Sequence, residues 1–177
     1  MLGGQASRER LAAASPHRFR VLAFATHGFK AGEIAGIDEP SLLLAPAQAS
    51  ADPLAGLLTT RQIAALDLNA RLVILSACNT ATGDGRPRSE AFTGLAQAFL
   101  TAGARQLLVT HWPVVSRAAA DLTVAVAAGV ATQSLPLSVS LKRAVAQVRQ
   151  AGRDDPFVSH PAYWGPFVAV GREVRKP

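Results

Sequence analysis

Residues 71–78 read RLVILSAC and residues 20–28 read RVLAFATHG. Each block runs from an arginine through an apolar stretch to a short stop that carries a chemically useful side chain, Cys78 or His27. Apolar residues that follow one another without alternation mark a strand buried on both faces, as in a parallel sheet covered by helices. The first such strand is expected over Phe19–Thr26 and the second over Arg71–Ala77. A third block, Gln106–Thr110 (QLLVT), stops at His111-Trp112-Pro113.

The intervening segments have helical spacing. Thr59 and Gln62 form a capping-box pair ahead of Ile63, Ala64 and Leu66. Ser89 can cap a helix whose Phe92, Leu95, Ala96, Phe99 and Leu100 share a face, with Gly103 as its stop. Ser116 opens a helix to about Ala128, and Ser138 or Ser140 opens another to about Gln150. Residues 3–14 give a leading helix closed at Ser15-Pro16, Ser41–Ala45 a short strand, and Phe167–Val170 a last strand. Loops are expected over 29–40 and 46–53. Strands alternating with helices predict an α/β sandwich with a mostly parallel central sheet flanked by helices. Right-handed crossovers set the carboxyl ends of parallel strands on one rim, where such sheets carry their sites. His27, Cys78 and His111 are therefore expected along one edge.

Composition narrows the function. The 177 residues are 49% hydrophobic and 17% charged, too apolar for a disordered chain. Cys78 is the only cysteine, which excludes a disulfide scaffold and a zinc finger. The apolar stretch 118–131 is interrupted by Asp121 and is shorter than the roughly 20 residues a bilayer needs, so no membrane association is expected. Residues 1–11 show no secretory pattern, and cytoplasmic residence follows as the default. The net charge of +6 would suit a nucleic-acid binder, but the basic residues are scattered and not interleaved with aromatics, so direct nucleic-acid binding is not expected. No phosphate loop and no G-x-S-x-G elbow occurs.

What remains is thiol chemistry. A thiol with an ordinary pKa of about 8.5 becomes a strong nucleophile when an imidazole takes its proton. Backbone N–H groups must also hold the developing oxyanion. His27 supplies the imidazole, 51 residues before Cys78. Gly28 offers an N–H with no side chain in the way, and the N–H of Cys78 is a second donor. Spacing alone does not single out this chemistry, because any two strand ends one βαβ unit apart would give a similar interval. A lone cysteine in an apolar context is equally a packed small hydrophobe. His27, His111 and Cys78 match zinc ligands in type, but no short-spaced pair anchors a metal. His160, Tyr163 and Trp164 are expected to brace the final strand.

Four stretches carry a resemblance: LAFATHGF (22–29), LVILSACNTATGDG (72–85), GLAQAFLTAGARQLLVTHWPV (94–114) and HPAYWGPFVAVG (160–171). A hydrophobic block ending in His-Gly followed by one ending in Ala-Cys resembles the caspase-like (clan CD) cysteine peptidases. The wording is similar to one branch, the CHAT domain, found beside tetratricopeptide repeats in many bacterial proteins. The resemblance implies a caspase-like three-layer sandwich and a cysteine endopeptidase acting on protein or peptide substrates. It implies His27 as general base and Cys78 as nucleophile, with Gly28 and Cys78 as oxyanion donors and no cofactor or metal. His111, Trp112 and Asp84 are candidate substrate contacts, and tetratricopeptide-repeat or other regulatory proteins are candidate partners.

The chain also departs from that family. Family domains usually extend further upstream of the His strand, so the leading strands of the sheet are expected to be absent. Residues 1–18 then form a helix and linker, and residues 19–177 the peptidase domain, whether as a minimal version or as a piece of a longer parent. Ser76 stands two residues before Cys78, where some relatives carry an acid that recognises basic side chains, and Val115 also replaces a frequent acid. The alternative to an active peptidase is a non-catalytic interaction module, or an inactive fragment, retaining the fold.

Overall fold

The computed structural model describes residues 3–46, 52, 54–76, 90–112, 114 and 116–172. Its strands are β1 (Val21–Phe24), β2 (Gly28–Phe29), β3 (Ser41–Leu43), β4 (Leu57–Thr59), β5 (Leu72–Leu75), β6 (Gln106–Thr110) and β7 (Phe167–Gly171). Its α-helices are α1 (Arg8–Ala13), α2 (Thr60–Ala64), α3 (Glu90–Thr101), α4 (Ser116–Ala131), α5 (Leu137–Ala151), α6 (Pro156–Ser159) and α7 (Pro161–Trp164). The central sheet has the order β1-β5-β6-β7, and β2-β3-β4 form a second, antiparallel sheet. Within the central sheet β1, β5 and β6 run parallel and β7 runs antiparallel at the edge.

Successive strand residues point to opposite faces, and here both faces are covered. On one face Phe24, Val73, Leu75, Leu107 and Val109 join Ile63 of α2, Leu95 and Phe99 of α3, and Leu11 of α1. The Phe24 and Phe99 rings meet at 5.1 Å between centroids. On the other face Leu72, Ile74 and Leu108 pack on Leu122, Val126 and Val130 of α4 and on Leu137 and Ala144 of α5. Burying each large aliphatic side chain is worth about 1.5–3 kcal/mol, so β5, buried at all four positions, anchors both layers. The result is the mixed α/β architecture, with a mostly parallel sheet between helical layers, that the apolar strands predict.

Local rules account for the ends of several elements. Thr59 and Gln62 form the expected capping box, with the Thr59 side chain accepting from Gln62 N–H and the Gln62 side chain accepting from Thr59 N–H. Glu39 reinforces this end, accepting from the Thr60 hydroxyl and from Arg61 N–H at 2.8 Å. Gly103 closes α3 with φ +106°. Arg71 closes α4 from outside, its guanidinium donating to the carbonyls of Val130, Ser134 and Leu135 at 3.2–3.4 Å.

Other elements differ from the sequence expectation. The leading helix is a 3₁₀ turn at 3–5 followed by α1, with Ser7 as the cap accepting from Arg10 N–H. Ser138 and Ser140 lie inside α5, which begins after Pro136. Ser140 instead faces Gly129 of α4, where a Cβ would stand 2.7 Å from its hydroxyl oxygen. The segment around His160 folds into α6 and α7. There Tyr163 is buried beside Ala118 of α4 and Val158, with its hydroxyl donating to Asp121 at 3.3 Å, so Tyr163 braces α4, while Trp164 packs on the cluster that holds Phe167 of β7. Among the described residues no helix is long and apolar enough to cross a membrane.

Candidate active site

The parallel register fixes what meets at the rim. Phe24 pairs with Leu75, and Leu75 with Val109, so these three residues form one row across β1, β5 and β6. In sequence His27 follows that row by three residues, Cys78 by three and His111 by two. Neighbouring strands lie about 4.8 Å apart. β1 and β6 flank β5, so His27 and His111 follow strands on opposite sides of the strand that leads toward Cys78. Ser76 N–H donates to the Phe24 carbonyl at 3.0 Å, carrying the β1–β5 pairing one residue past the strand. Cys78 and Asp84 themselves lie outside the described residues.

His27 is held by its backbone and exposed at its side chain. The chain bends at Thr26, whose hydroxyl donates to the Leu43 carbonyl, and Leu43 N–H donates back to the His27 carbonyl at 2.8 Å. One residue of β3 thus clamps the end of the β1 turn. Gly28 is buried opposite Leu42. The Leu43–His27 bond places Gly28 at a non-hydrogen-bonded position of the antiparallel pair, so its own N–H points away from β3. The Gly28 amide is thus left out of the β2–β3 ladder and adjoins an exposed imidazole.

His111 and Trp112 sit elsewhere on the rim. His111 N–H donates to the Pro166 carbonyl at 2.9 Å, extending the β6–β7 pairing, and its side chain is exposed. Trp112 is 44% exposed and lies against Gly165 at the end of α7. His27 and Gly28 thus follow β1 on one side of β5 and pair with β3, whereas His111 and Trp112 follow β6 on the other side. Among the described residues no group of three His, Cys, Asp or Glu side chains gathers to hold a metal ion. The Leu43 clamp was not foreseen from sequence; the one signal for it was a β-branched hydroxyl residue directly before His27.

Residues 1–172 match the CHAT domain family. The chain belongs to that family. A CHAT domain carries a caspase-like fold, with which the mostly parallel sheet between helical layers agrees. The chain is also similar to tetratricopeptide repeat protein 28 of Mus musculus, 34% identical over 119 residues. That alignment covers 67% of this CHAT domain chain but only 5% of the mouse protein.

Proposed function

We propose that this CHAT domain is a cysteine endopeptidase working by acyl transfer from a peptide to Cys78. The observation that carries the proposal is the register of β1 and β5. It supports adjacent origins for His27 and Cys78, each three residues past one hydrogen-bonded row. His27 takes the proton of the Cys78 thiol, and the thiolate sulfur attacks the scissile carbonyl carbon, forming a C–S bond. The oxygen gains the negative charge and is held by the N–H groups of Gly28 and Cys78. On collapse the C–N bond breaks, and the imidazolium of His27 gives its proton to the departing amine. Water, deprotonated by His27, then attacks the thioester, which releases the acid and restores the thiol.

A nucleophilic thiol suits a reducing, cytoplasmic compartment. Because the mouse relative is named for its tetratricopeptide repeats, repeat proteins of that kind are the proposed regulators. The test is turnover of unfolded protein or peptide-library substrates by the purified chain. Cys78→Ala should abolish it, and His27→Ala should reduce it by about 10²–10⁴-fold, the usual worth of a general base. Turnover that survives Cys78→Ala would overturn the proposal, and a non-catalytic interaction module would then be the better account.

A further inference from the structure

The layer between the central sheet and α4 is not packed evenly. Away from the rim Leu72, Leu108, Leu122, Val126 and Val130 are at most 1% exposed and fill it. At the rim the same layer opens into a slot of about 230 Å³. Its sheet wall is Ala23, Ala25 and Ser76, and its helix wall is Ala119, Ala120 and Thr123, with Ile74 at the floor. Interiors normally close-pack, so small side chains facing each other across a void at the functional end form a receptacle. Ala23, Ala25 and Ala120 are exposed, so the slot is open to solvent. It also lies in the right place: Ala25 is two residues before His27, and Ser76 two residues before Cys78.

Size and charge define the occupant. Pockets for whole small molecules span about 300–1,000 Å³, so this slot suits a single side chain. Among its described lining residues none is charged. The nearby carboxylate on α4, Asp121, is engaged by Arg117 at 3.9 Å and by the Tyr163 hydroxyl. The Thr123 hydroxyl donates to the Ala119 carbonyl of its own helix, which leaves Ser76, among the described walls, as the residue with a hydroxyl for a ligand. A guanidinium or carboxylate entering such a slot would lose water without gaining a counter-charge.

We propose that this slot receives the side chain on the carbonyl side of the scissile bond, and that it selects an uncharged aliphatic residue such as leucine or valine. The inference rests on the Cys78–His27 peptidase function. Its test uses inactivation of Cys78 in the purified chain by peptidyl acyloxymethyl ketones that differ only in the residue next to the ketone. Iodoacetamide alkylation, run in parallel with His27→Ala, reports thiol activation separately. The leucine ketone should inactivate about 10-fold faster than the arginine or aspartate ketone, since a charge in the slot is partly desolvated and meets no counter-charge among the described walls. Ala120→Leu, a substitution neutral for an exposed helix position, should fill the slot and slow the leucine ketone by about 10-fold while sparing the alanine ketone. Preference for arginine would overturn the inference and point to an acid such as Asp84 reaching the slot. Equal rates for all ketones, or no effect of Ala120→Leu, would also overturn it while leaving an activated thiol intact. Iodoacetamide rates equal to those of a free thiol would instead overturn the peptidase function beneath it.

Discussion

Replacing Thr26 by valine keeps the β-branched shape and removes the hydroxyl that ties the β1 turn to the Leu43 carbonyl. A neutral hydrogen bond is worth about 0.5–1.5 kcal/mol net, and an orphaned buried acceptor adds to the loss. Leu43 is only half-buried, so water partly replaces the donor, and a loss of about 1 kcal/mol follows. For a chain of this length that lowers Tm by about 2–4 °C. The neighbouring bond, Leu43 N–H to the His27 carbonyl, loses its support. Hydrogen exchange at the Leu43 amide should then speed up by about fivefold, since 1.4 kcal/mol is tenfold. Excess alkylation of Cys78 should fall in the same variant, because the imidazole is less well held. Thr26→Ser keeps the hydroxyl and should stay near wild type in all three measurements. Unchanged Leu43 exchange in Thr26→Val, or an equal loss in Thr26→Ser, would refute the clamp.

Three further outcomes follow from the packing. Gly103→Ala puts a Cβ 2.1 Å from the Leu68 carbonyl at φ +106°, and urea unfolding should show a loss of about 3 kcal/mol from strain and clash together. Arg71→Ala uncaps α4 and should cost about 1–2 kcal/mol in the same assay, with Arg71→Lys recovering less than half because one ammonium cannot span three carbonyls. Partial burial works to raise the Glu39 pKa, but hydrogen bonds from Thr60 and Arg61 outweigh it and hold the carboxyl below its ordinary value. Its stabilising contribution is therefore present above the ordinary glutamate pKa and lost as pH falls through the lowered one. Glu39→Gln should destabilise the chain at pH 7 by about 1–2 kcal/mol, and the gap should close in urea titrations run well below pH 4.

The parallel strands were legible because β5 and β6 are buried at every position, leaving an apolar run with no polar alternation to confuse them. The α2 cap was legible because a capping box is a local code. What escaped notice was short or non-local. Strand β2 is two residues long, and β4 is three, ending on the Thr59 that also caps α2, so neither offers a period to read. Helices α6 and α7 are four residues each, opened by Pro156 and Pro161 at a position proline favours, and are too short to show a period. At the site, His27 and Gly28 could be located because they end an apolar run. The clamp on them could not, since it joins Thr26 to a residue 17 positions away in a separate sheet. The slot under α4 was equally hidden, because alanines at residues 23, 25, 119 and 120 look like filler until the fold sets them face to face.

The central claim is that His27 activates Cys78, and the pH dependence of alkylation tests it most directly. Iodoacetamide should modify Cys78 at pH 6 at least about tenfold faster than a small free thiol, whose pKa near 8.5 leaves little thiolate there. His27→Ala should remove that excess and return the profile to that of an ordinary thiol. A Cys78 that already behaves as an ordinary thiol in the wild-type chain, or one whose excess reactivity survives His27→Ala, would contradict the account.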